Sequence, residues 1–160
     1  MALNNKYQSY GLHEIKVGLM LFWGLWFLFA FITNSFDMLS AHNALPTDWR
    51  FRSGNLALMI SIVNVYRFSA VFASLIFFSG LIIEYAITVL FLIAAVKFWT
   101  KRRAWKWVNT AFGISIAFWA SFVLFDELFI AYNFEGTHIT LLISEILVLM
   151  TIHLLPTTDH

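Results

Sequence analysis

Residues 68–97 read FSAVFASLIFFSGLIIEYAITVLFLIAAVK, and this stretch decides the fold. Between Arg67 and Lys97 it carries a single charge, Glu84. The hydrocarbon core of a bilayer is roughly 30 Å thick and takes about 20 apolar residues in a helix to cross. With no water there, every backbone N–H and C=O has to be bonded within the segment or to a closed neighbour, which leaves helices or barrel strands. Barrel strands alternate apolar and polar side chains, and this run does not. The stretch is therefore expected to be a membrane-crossing helix.

Three further runs of the same kind flank it. Residues 17–36 carry no charge and are closed by Asp37; 107–126 end on Asp126 and Glu127; 139–155 carry Glu145 and stop before Pro156. Composition agrees over the whole chain, with 61% hydrophobic and 12% charged residues. Soluble domains sit near about half apolar and a quarter charged. The fold class expected is all-α: a polytopic membrane protein, four transmembrane helices in a bundle, forming a single transmembrane domain over 1–160. Met1–Ile15 is polar, and no small-residue cleavage site follows the first apolar run, so 17–36 is expected to be a retained helix.

Residues 54–66 are apolar but too short to cross. No turn chemistry separates them from the second span, so a hairpin is excluded. One straight helix from 54 to 97 would be roughly 65 Å long, twice the hydrocarbon core. The economical expectation is a short outer interfacial helix that bends near Asn64–Arg67 into the second span, with Asn55, Ser61 and Asn64 on its wet face.

Basic residues orient the bundle. Lys6, Lys16, Lys97, Lys101, Arg102, Arg103 and Lys106 fall on one side, whereas Arg50, Arg52 and Arg67 share the other with Asp37, Asp48, Asp126, Glu127 and Glu135. The positive-inside rule then makes both termini cytoplasmic, in a bacterial inner membrane. Trp99, Trp105 and Trp107 would form the inner aromatic belt, and Trp49 part of the outer one.

Ionisable and polar groups inside the spans are the candidate functional residues. Glu84 falls near the midplane of the second span and Glu145 near the middle of the fourth. If those helices were neighbours, the two carboxylates could share one proton, or one could be held neutral by burial; that is the reading of a proton-carrying site in a coupled transporter. The structural reading makes each Glu an interhelical hydrogen-bonding group, with candidate partners in Thr33, Asn34, Ser74, Ser79, Tyr85, Asn109, Ser115, Ser121 and Ser144. It is preferred here, because a proton carrier sits beside a substrate cavity and the sequence outlines none.

His13 and His153 at the inner ends, with His42 and His138 outside, resemble in arrangement the paired axial ligands of a two-haem bundle. The pattern fails on depth, since His42 and His13 fall outside helical walls. The outer rim of Asp37, His42, Asp126, Glu127, Glu135 and His138 holds residue types that bind divalent metals, with His42, His138, Asp37 and Glu127 as the candidate ligands. No His-x-x-x-His spacing supports this, and a solvated acidic rim explains the cluster. No cofactor is therefore expected, haem and divalent metal being the weighed alternatives. The absence of cysteine removes thiolate metal sites and disulfides, and a formal charge of +1 gives no case for nucleic acid.

The order of features resembles an uncharacterised bacterial family of predicted small four-helix integral membrane proteins. The matching elements are FITNSFD at 31–37, the proline-bearing loop with Trp49-Arg50, Glu84 inside span two, a basic inner hairpin, and FDELF at 125–129. The outer loop is shorter than in that family, and 53–69 matches little of it. The resemblance implies the topology and no activity.

Two functions follow as expectations. The first is an accessory or structural subunit of a larger membrane complex, with a respiratory assembly as the example, not catalytic on its own; the eighteen Phe and seven Trp suit docking against larger subunits as well as lipid. The alternative is a small proton-coupled transporter or channel component using Glu84 and Glu145, which with four helices would work as an oligomer.

Overall fold

The computed structural model describes residues 2–46, 48–101 and 104–156, without the side chains of 2–10 and 101. Of the residues used above for orientation, Arg102 and Arg103 lie outside the described residues, as do the side chains of Lys6 and Lys101. The described residues form five α-helices: α1 (Ala2–Ala41), α2 (Asn55–Val63), α3 (Ala70–Lys101), α4 (Trp105–Leu128) and α5 (Tyr132–Leu154), with a 3₁₀ turn at Asn64–Tyr66. All except α2 are long and apolar enough to cross a membrane.

Helix α1 packs on α3, α3 on α4 and α4 on α5, while α2 folds back against α3 and α1. The two outermost helices meet at the end away from α2, where Lys16 Nζ donates to Leu155 O at 2.7 Å. Lys16 is buried, and its ammonium lies 5.4 Å from the Trp105 ring. A cation at the C-terminal carbonyls of α5 is favoured by the helix dipole and satisfies an acceptor that the helix leaves open.

Rings fill this half of the bundle. Phe27 stacks on Phe91 at 6.2 Å, Phe91 meets Phe112 edge-on at 4.8 Å, and Phe27 lies 5.7 Å from Trp119. Such contacts add about 0.5–1.5 kcal/mol per pair beyond burial, which matters where lipid removes the hydrophobic drive between helices. Helices α1 and α3 pack closely at Gly24, where a Cβ would stand 3.2 Å from Phe91 Cβ.

Two expected helix ends move. Asp37 does not close the first span: α1 runs on to Ala41, and Asp37 is buried within it. Its Oδ2 accepts from the Leu56 backbone N–H at 2.7 Å and from Ser53 Oγ at 3.3 Å, so it caps the first turn of α2 from another helix. At the other end, α5 begins at Tyr132 rather than 139. Asn133, Glu135, Thr137 and His138 lower the local hydropathy, but none of them stops a helix. The reversal between α4 and α5 is short, and Ile130 takes it with a left-handed φ of 57°.

Residues 54–97 do not form one helix. Gly54 enters α2 with φ 79°, a conformation open to glycine, and Arg67 leaves the 3₁₀ turn with φ 59°. Between them Leu56, Met59 and Val63 are buried, whereas Asn55, Ser61 and Asn64 are exposed. Replacing Asp37 by alanine should loosen α2 by about 0.5–2 kcal/mol, the usual cost of a lost cap. A cysteine at Leu56 in that background should become reactive to a water-soluble maleimide; unchanged protection would show that packing alone holds α2.

Candidate functional site

Above the aromatic layer, at the α2 end, the bundle is not filled. A cavity of about 400 Å³ lies there, bounded by all five helices. Its apolar walls include Trp26 of α1, Met59 of α2, Phe77 of α3, Phe122 of α4 and Phe134 of α5. Trp26, Asn55 and Thr137 line it and are exposed, so they mark its rim. The sequence outlines no cavity; the bundle contains one, lined from all five helices.

Two polar groups stand in its walls. On the α1–α3 side Asn34 Nδ2 donates to both oxygens of Glu84, at 2.8 and 3.0 Å. Asn55 Nδ2 in turn donates to Asn34 Oδ1 at 2.9 Å. This makes a chain of hydrogen bonds from an exposed residue of α2 to a carboxylate that is 8% exposed. Across the cavity, His138 Nδ1 and Asp126 Oδ2 are 2.5 Å apart. Asp126 is buried and His138 partly so, with its ring 4.9 Å from Phe122. Among the described residues no lysine or arginine lines the cavity.

Glu145 is elsewhere. It is fully buried against α4, its Oε1 accepting from Ser115 Oγ at 2.5 Å and from Trp119 Nε1 at 3.0 Å, while its Oε2 has no partner. Glu84 and Glu145 therefore turn to different helices, and the shared proton considered from sequence has no geometric basis here. Asn109, also expected inside the membrane, pairs with His153 Nε2 at 2.8 Å near the Lys16 end.

The rim residues are drawn together only in part: Asp126 meets His138, and the Glu135 and Glu127 side chains share a hydrogen bond, whereas Asp37 and His42 lie elsewhere. Asp37 is engaged with α2, and His42 lies exposed in the turn after α1. Asp126 and His138 have left the rim for the cavity wall, because α5 starts early enough to carry His138 inward. Among the described residues no three of His, Asp and Glu are placed to share a metal ion. The histidines also find local partners: His13 stacks on Phe98 at 5.3 Å and His153 on Trp105 at 4.6 Å.

Sequence reasoning missed several participants. Trp119 touches both polar sites on α4–α5, donating to Glu145 and stacking 6.0 Å from His138. It was one aromatic among many in its run, and only the alignment of His138 and Glu145 seven residues apart on one helix face could have drawn attention to that seam. Neither a family model, a curated protein nor a solved structure matches the chain.

Proposed function

We propose that this protein is a small proton-coupled transporter or channel component of the bacterial cytoplasmic membrane, working as an oligomer, with the cavity at the α2 end as its ligand site. One observation carries the reading: Glu84, a carboxylate at mid-span, stands in the wall of a cavity that also holds the Asp126–His138 pair. Cavities of about 300–1,000 Å³ with apolar walls and a few convergent polar groups are where proteins hold small molecules. Ionisable residues within a membrane bundle are rare, and beside a cavity they mark ligand or proton pathways. The basic residues at the other end favour cytoplasmic termini. A cysteine in place of Asn43 should then react with an impermeant thiol reagent in intact cells, whereas ones in place of Ser9 and Thr158 should not; the reverse pattern would invert the orientation.

Dicyclohexylcarbodiimide tests the site. This lipid-soluble reagent captures carboxylic acids it can reach, so mass spectrometry should find the adduct on Glu84 and not on Glu145, which is enclosed by α4. An unmodified Glu84 would mean that the cavity is closed to the membrane, and the reading would fail.

The accessory-subunit reading keeps one supporting observation. Glu84, Asp126 and Glu145 each have partners within the chain, so all three could act as interhelical hydrogen-bonding groups. Purification from the native membrane in mild detergent separates the two: a self-assembled oligomer favours the transporter, and co-purifying larger subunits favour the accessory role.

A further inference from the structure

Resting on the cavity reading, we propose that the ligand is a compact lipophilic organic cation, an amine or quaternary ammonium carrying an apolar ring, held with its charge at Glu84.

Charge decides against the alternatives. The ionisable groups on the cavity wall are Glu84, Asp126 and His138. Asp126 already has the imidazole as its partner, at 2.5 Å. Glu84 faces Asn34 from α1 and Asn55 from α2, both neutral, and across the cavity the Asp126–His138 pair from α4 and α5. Lys16 is committed to the far end of the bundle, and Arg52 donates to Ser40 Oγ outside the cavity. An anionic ligand would thus enter a site whose base, His138, is already held by Asp126, with Glu84 opposing it. A neutral one would leave the buried Glu84 carboxyl to keep its proton and would gain no charge there. A cation supplies the counter-charge that lets that proton leave.

Geometry leaves room for it. A single nitrogen, Asn34 Nδ2, serves both carboxylate oxygens. An ionised carboxylate offers about four acceptor positions, so those on the cavity side remain for an incoming N–H or ammonium. The walls suit the rest of such a molecule. Trp26, Phe77, Phe122 and Phe134 line it with aromatic rings, whose faces attract cations by about 0.5–1 kcal/mol when exposed and about 2 or more when desolvated. Gly80, on the cavity wall, has open space where a Cβ would be, which widens the site beside Glu84.

The experiment uses three probes of similar size on the detergent-purified protein: phenyltrimethylammonium, its uncharged carbon analogue tert-butylbenzene, and benzenesulfonate. Binding is read by quenching of Trp26 and Trp119 fluorescence and by calorimetry. The cation should bind most tightly. Glu84→Gln should weaken it about ten- to hundredfold, the worth of the ion pair that a quaternary ammonium makes without any N–H to donate, and leave tert-butylbenzene unchanged. Gly80→Phe, which fills the cavity, should weaken both. If the neutral probe binds as well as the cation and Glu84→Gln changes neither, the cavity reading stands and the cation assignment falls. Tighter binding of benzenesulfonate overturns it likewise. If no probe shows binding sensitive to Gly80→Phe, the cavity reading itself has failed and the assignment with it. Unchanged circular dichroism and gel-filtration profiles of both variants distinguish lost binding from lost folding.

Discussion

A leucine in place of Gly24 should drive α1 away from α3 and leave little correctly folded protein in detergent. A Cβ alone at this position would stand 3.2 Å from Phe91 Cβ and 3.3 Å from Leu92 Cδ2. The first of these atoms is bound directly to the α3 backbone and cannot swing aside, so relief requires the helices to separate. Separation would pull apart Phe27 and Phe91, and move Asn34 from Glu84 further along the same pair of helices. Overpacking a filled core costs about 1–3 kcal/mol, and the lost contacts add to it. Gly18 is exposed, with nothing near its Cβ position, so Gly18→Leu is the control. It should be neutral or slightly stabilising, since leucine favours helix over glycine by up to about 1 kcal/mol. Unfolding in sodium dodecyl sulfate, followed by tryptophan fluorescence, reads both. Equal midpoints for the two variants would show that the close approach is not needed.

The second large effect is expected at Glu145. Glu145→Leu removes the acceptor shared by Ser115 and Trp119. Ser115 can turn to a carbonyl one helical turn back, but the indole N–H of Trp119 is only a donor and is left buried without a partner. That costs about 1–3 kcal/mol. Glu145→Gln keeps an acceptor oxygen and should cost much less. Asp or Asn at this position, one methylene shorter, should fall between. The same unfolding assay gives the order, and a Leu variant as stable as the Gln variant would remove these bonds from the account of the α4–α5 seam.

Hydropathy made the four spans legible because a run of apolar side chains on a helix has one cheap location. The helix ends were less legible for a reason visible at Asp37 and His138. Both are polar and were read as rim residues, yet each lies within a helix because it is hydrogen-bonded to another element: Asp37 accepts from the Leu56 N–H, and His138 meets Asp126. A one-dimensional pattern records the cost of a polar group but not the bond that offsets it. Glu84 and Asn34 were both named from sequence as intramembrane polar residues, and the structure joins them; that Asn55 extends the chain could not be read, because it depends on how α2 folds back. The cavity was illegible altogether. It arises from five elements failing to meet, and no single stretch encodes it.

The division of polar bonds bears on how the protein is made. Asn34–Glu84, Asn55–Asn34 and Asp37–Leu56 all lie within α1–α3, while Asp126–His138, Glu145–Ser115 and Asn109–His153 all lie within α4–α5. The contacts that join these halves are chiefly rings, Phe27 on Phe118 and Phe91 on Phe112, closed by the Lys16–Leu155 bond. A ribosome feeding this chain into a membrane would therefore release a first half whose costly groups, Lys16 at its end excepted, are already matched before α4 has emerged. The short α4–α5 reversal lets the rest insert as one hairpin that is likewise self-sufficient. Assembly of the halves is then a docking of two finished pieces in lipid, and the pieces translated as separate polypeptides, divided between 101 and 105, should find each other and rebuild the cavity.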